Sequence, residues 1–96
     1  ENESMIAKTT ASIAAENSFA AAVALHGAYN FSLSGTWSAT VHLQRSFDGG
    51  ATWLDVQALS ANAELVGQEP ERGVLYRFGV KTGGYTSGTI AGRLSQ

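Results

Sequence analysis

Arg45-Ser46-Phe47-Asp48-Gly49-Gly50-Ala51-Thr52-Trp53-Leu54 joins two stretches in which polar and apolar side chains alternate. Ahead of it Val41 and Leu43 alternate with His42 and Gln44; behind it Leu54, Val56 and Ala58 alternate with Asp55 and Gln57. A period of two puts one face of each stretch against a core, and the consecutive glycines supply the positive φ of a tight reversal. The reading is a β-hairpin, and it sets the fold class for the rest of the chain.

Each residue of the turn has a local task. Asp48 is short enough to accept hydrogen bonds from backbone N–H groups just ahead, and Ser46 can tie its hydroxyl back to the loop. Trp53 can lay a large apolar surface over the turn. The spacing Ser-x-Asp-x-Gly-x-x-Trp, filled by Ser46, Asp48, Gly50 and Trp53, resembles the Asp-box hairpin of sialidase-type propellers. Thr52 falls inside the same structural set. The spacing occurs once in 96 residues, so a propeller, which needs several copies and a longer chain, is excluded.

The alternation continues outward from the hairpin. Upstream, Tyr29, Phe31 and Leu33 face one way and Asn30, Ser32 and Ser34 the other; Gly35 and Thr36 are then expected to reverse the chain into a strand from Trp37 to Phe47, with Ala39, Val41, Leu43 and Phe47 inward. That makes a three-strand meander with Leu54, Val56 and Ala58. Further upstream, Thr9 to Ala15 suits a first strand with Ala11 and Ile13 on one side. Residues 19–26 fit either a short helix capped by Asn17 or Ser18, or strand and irregular structure, with the lean to the latter. Glu1 to Lys8 is expected to be a flexible arm.

Downstream, Ala63 to Gln68 makes a short strand, and the charged loop Gln68 to Gly73 carries the single proline, which argues against a central strand there. Val74, Tyr76, Phe78 and Val80 form the next inward face. A turn from Thr82 to Gly88 leads to a last strand, Thr89 to Leu94, with Ile90 and Leu94 inward. About seven short strands with wet outer faces describe one small all-β domain spanning residues 1–96, an antiparallel β-sandwich of jelly-roll-like character with its arm at 1–8. Its open edges favour assembly into a homo-oligomer, a dimer or trimer.

Composition narrows the function classes. Six basic and eight acidic residues are scattered and give a net charge of −2, so no basic stripe marks a nucleic-acid partner. No apolar run reaches the roughly 18 residues of a membrane span, and the chain reads as soluble. Without cysteine there are no disulfides, thiolate metal sites or cysteine nucleophiles. His26 and His42 lie on separate segments, so no metal or cofactor site is expected. Asp48 and Asp55 flank the turn as paired glycosidase carboxylates would, but turn chemistry and an outward strand position account for them better. No catalytic residue is assigned and the chain reads as a non-enzyme.

Aromatics are the remaining clue to binding. Trp37, Trp53 and Tyr85, with Tyr29, offer flat surfaces on which a glycan ring can stack, against the plainer reading of core and hairpin packing.

A second resemblance covers residues 27–96. Gly35-Thr36-Trp37, Leu43 through Trp53, Glu69-Pro70-Glu71-Arg72-Gly73-Val74-Leu75-Tyr76-Arg77, Tyr85-Thr86-Ser87-Gly88-Thr89 and Arg93-Leu94-Ser95-Gln96, in that order, resemble a family of small tailed-phage virion structural proteins. The resemblance implies a role on the virion, such as capsid decoration or cement, or a tail or fibre component. The major capsid protein or other virion proteins are the implied partners. A carbohydrate-binding module using the aromatics is the alternative.

Overall fold

A computed structural model of the chain describes residues 7–96. Seven strands make up the described chain: β1 (Lys8–Ile13), β2 (Ser18–Phe19), β3 (Val23–Ala39), β4 (Val41–Ser46), β5 (Leu54–Leu59), β6 (Ala63–Val80) and β7 (Tyr85–Ser95). They form one antiparallel sheet in the order β1-β7-β3-β6-β4-β5, with the short β2 also on β6. The all-β, antiparallel, sandwich-like class expected from the alternation is the fold observed. It is built from a single sheet folded over itself, so two separate jelly-roll sheets do not occur.

One residue explains the folding-over. Thr40 alone separates Ala39, at the end of β3, from Val41, at the start of β4. Both strands run antiparallel to β6, but Val23 of β3 lies opposite Tyr76 while His42 of β4 lies opposite Gly79. In a flat sheet Ala39 and Val41 would then stand about 60 Å apart, at about 3.3 Å per residue. The sheet therefore curls until the end of β3 meets β4, and the result measures 37 × 28 × 19 Å.

The curl is made at glycines. Gly35 sits at φ +105° and Gly88 at φ +88°, and the paired ribbon β3–β7 runs unbroken past both, with Gly35 opposite Ile90 and Trp37 opposite Gly88. The expected reversal at Gly35-Thr36 is instead a kink inside a 17-residue strand. Positive φ bends the strand, while cross-strand pairing keeps the chain going forward. For the same reason Tyr85 to Gly88, read as turn, belong to β7, and the meander fails because β6 lies between β3 and β4.

The second correction concerns Pro70. Residues 68–73 lie within the 18-residue β6, a central strand, although the proline argued for a loop. The register resolves the conflict: Leu25 pairs with Val74 and Gly27 with Glu69, so residues 70–73 have no partner on β3. They bulge outward, where the missing proline N–H costs nothing.

The upstream segment is strand with an interruption. Phe19 pairs with Gly79, the Ala20 amide donates to the Phe78 carbonyl at 2.9 Å, and Val23 pairs with Tyr76. Asn17, considered as a helix cap, instead takes φ +53° in the turn ahead of β2, a conformation that asparagine tolerates. Of the expected arm, Lys8 opens β1 opposite Ser95 and the Ala7 carbonyl accepts from the Gln96 amide at 3.0 Å; residues 1–6 lie outside the described residues.

Inside the fold, Ile13, Leu25, Phe31, Leu33, Val41, Leu43, Val74, Tyr76, Phe78, Val80, Ile90 and Leu94 are buried. Phe31 and Phe78 stack at 5.5 Å and Tyr29 and Tyr76 at 5.0 Å between ring centres, both tilted by 50°. The Phe78 ring lies over Gly92, where a Cβ would not fit. Two inward assignments fail. Phe47 is 50% exposed, and on β5 Leu54 and Val56 are 46% and 42% exposed, with Ala58 exposed as well. β5 is the last strand of the sheet, and among the described residues its side chains are left largely uncovered.

The kink separates two kinds of glycine. A Cβ on Gly35 would run into the Thr89 carbonyl oxygen at 2.5 Å, whereas Gly83, at φ +85°, faces open space. Gly83→Ala is expected to cost about 1 kcal/mol, the left-handed backbone penalty alone. Gly35→Ala should cost about 3 kcal/mol or more, because the kink must also move. Urea unfolding of the two variants beside the parent checks both the sizes and the order.

Candidate functional site

The hairpin turn is held by two side chains acting on each other and on the backbone. The Ser46 hydroxyl donates to Asp48 Oδ1 at 2.7 Å and accepts from the Gly50 amide at 2.9 Å. Asp48 Oδ1 also accepts from the Thr52 amide at 2.8 Å. Gly49 and Gly50 take φ of +74° and +98°. The Thr52 amide, then the Ser46 hydroxyl, pull the Asp48 carboxyl down to about 2. Both of these bonds end on Oδ1, so this oxygen of the exposed carboxylate is committed to its own turn.

Trp53 closes the motif and joins it to the sheet. Its ring packs over Gly50, and the Arg77 guanidinium lies 4.3 Å from its centre. The same guanidinium is 3.9 Å from the centre of the Phe19 ring, so Arg77 bridges two aromatics far apart in the sequence. Burial between them lowers its pKa.

From Arg77 a chain of polar contacts crosses the outer face of β6, β4 and β5. Arg77 Nε donates to Gln44 Oε1 at 2.9 Å, and Gln44 Nε2 donates to Asp55 Oδ1 at 2.9 Å. Lys81 Nζ donates to Asp55 Oδ2 at 2.6 Å. Lys81, then Gln44, hold the Asp55 carboxyl below its ordinary value. Gln44 and Ser46, read as outer residues, do face outward but are buried, because this cover of Phe19, Arg77 and Trp53 lies over them. Asp55 and Asp48 are held by separate sets of partners and share none.

A second network lies at the inner side of the hairpin. Glu69 is 1% exposed, at the edge of the β6 bulge. Its Oε1 accepts from Arg45 and from the Tyr76 hydroxyl, each at 2.7 Å, and its Oε2 accepts from the Glu71 amide at 3.0 Å. Burial pushes this carboxyl up, but the three donors outweigh it and the net shift is downward. Burial, then the Glu69 carboxylate, raise the Tyr76 phenol well above its ordinary range. Sequence reasoning missed this cluster, since only the bulge brings Glu69 back beside Arg45 and Tyr76.

The other singled-out aromatics are also engaged. Trp37 is half-buried and its Nε1 donates to Asn62 Oδ1 at 2.7 Å, while the Asn62 amide donates to the Gly35 carbonyl at 2.9 Å. Tyr85 is half-buried and its hydroxyl donates to the Gly88 carbonyl at 2.8 Å. Tyr29 is in the core. The structure does not bring Trp37, Trp53 and Tyr85 together as a platform in any contact among the described residues. Among those residues no three His, Asp or Glu side chains are placed to hold a metal.

Two consequences can be measured. With its folded pKa below the unfolded value of about 3.9, Asp48 contributes stability that is present above pH 4 and lost as pH falls toward 2. Carboxyl-carbon NMR should give a midpoint near 2 for Asp48, and Asp48→Asn should flatten the acid limb of the stability curve in that window. Glu69→Ala strands a buried phenol and one guanidinium, and should cost about 3 kcal/mol in urea unfolding. Comparisons of this chain with protein-family models, curated proteins and solved structures return no match.

Proposed function

We propose that this chain is a non-enzymatic structural protein of a tailed-phage particle, a decoration or cement protein on the capsid surface. The observation that carries the reading is the character of β5. Among the described residues it pairs with β4 alone and leaves its other edge open, and Phe47, Leu54 and Val56 stand exposed beside it. An open edge with apolar side chains is a surface for lateral association. The ordered phrases between residues 27 and 96 supply the class of partner, the major capsid protein or other virion proteins. The polar groups of the hairpin and of the Glu69 cluster support the same reading, because each is turned inward on the fold.

Quantitative mass spectrometry of purified particles of the encoding phage tests this. The expected result is a copy number in simple proportion to the major capsid protein; a few copies per particle would move the chain to a vertex, portal or tail. Absence from particles overturns the virion reading. Val56→Lys leaves an already exposed position exposed, and is expected to reduce incorporation about tenfold by placing a charge in the apolar contact.

A further inference from the structure

On the outer face of the sheet, where β6, β3 and β7 lie side by side, there is a trough of about 270 Å3. The register orders its lining. Asn30 of β3 lies between Val66 and Ser95, and Ser32 lies between Glu64 and Arg93. Short side chains on the middle strand form the floor, and long ones on the flanking strands form the walls. Glu64 and Arg93 thus face each other across two strand spacings, about 10 Å. The Ser32 hydroxyl donates to Glu64 Oε1 at 2.6 Å, and among the described residues neither Glu64 nor Arg93 takes part in an ion pair.

We propose that this trough binds a neutral sugar of about one hexose ring. A carboxylate only accepts hydrogen bonds and a guanidinium only donates them, while Asn30 and Ser95 do both and the Ser32 hydroxyl, its proton given to Glu64, accepts. A vicinal diol meets that pattern, one hydroxyl donating to Glu64 and its neighbour accepting from Arg93. The two wall charges are opposite, so a singly charged ligand loses at one wall what it gains at the other, whereas a neutral polyol can use both. Val66, 82% exposed at the rim, gives an apolar surface for the C–H face of a ring. The volume lies just below the range of pockets for drug-sized ligands, which limits the occupant to something small. This site lies toward the Ala63 end of β6, away from Arg77 near the Val80 end, and it stands whether or not the chain is a virion protein.

The test is a titration of the full 15N-labelled chain with glucose, galactose and N-acetylglucosamine, beside glucuronate and glucosamine as charged counterparts. The expected result is saturable shifts at the Asn30, Ser32 and Arg93 amides with at least one neutral sugar below about 20 mM, weaker for both charged sugars. Ser32→Leu fills the floor and should abolish the shifts. Asn30→Ala, at an exposed position, should weaken binding about fivefold and decides the matter if Ser32→Leu fails to fold. No saturable shift with any neutral sugar would overturn the proposal. So would preference for a charged sugar, or shifts confined to Trp37, Trp53 and Tyr85.

Discussion

The single residue between β3 and β4 is the constraint on which the rest of this fold depends. With only Thr40 to connect them, the end of β3 must arrive where β4 begins, and the Thr40 amide is held there by the Gly84 carbonyl at 2.8 Å. A strand of 17 residues can do this only by bending, and it bends together with β7 so that the ladder between them survives. Once the sheet has curled, its apolar face meets itself. Phe78 then reaches Phe31 and lies over Gly92, and the core needs no second sheet.

Curling a sheet also leaves places where strands cannot stay in register, and this chain fills them with polar groups. The β6 bulge at residues 70–73 faces such a break, and Glu69 occupies it with three donors. Another break lies between Leu43 and Gln44 where β4 meets β5, and there Gln44 links Arg77 to Asp55, while a third, between Ser38 and Ala39 on β3, lies against β7. Each of these buried or half-buried polar residues is satisfied, which limits its desolvation cost and leaves one arrangement favoured over shifted ones.

Alternation told most of the truth about faces and little about connection. Tyr29, Phe31 and Leu33, then Val74, Tyr76, Phe78 and Val80, then Ile90 and Leu94, lie inward as their spacing requires. Gly35, Gly88 and Pro70 misled because the same residues that end a strand can also bend or bulge one, and the choice depends on partners far away in sequence. β5 misled for a different reason: its pattern is that of a covered strand, but coverage is a property of the neighbouring layer. The hairpin residues were legible because every partner lies within four positions. The contacts of Arg77 with Phe19 and Trp53 were not, since they join positions 58 and 24 residues apart.

These constraints bear together on what the surface offers. Lys81, Asp55, Gln44 and Arg77 tie β5 to β4 and β6 on one side, and the Asp48 turn and Trp53 fix the entrance to the strand. The edge of β5, open among the described residues, is therefore held by the body of the protein, so that pairing there would carry little ordering cost. At a flexible edge each contact would have to offset the entropy of its own ordering. By placing its polar network behind the open strand, the chain couples a rigid edge to a small core, and the apolar groups beside that edge can then contribute to association.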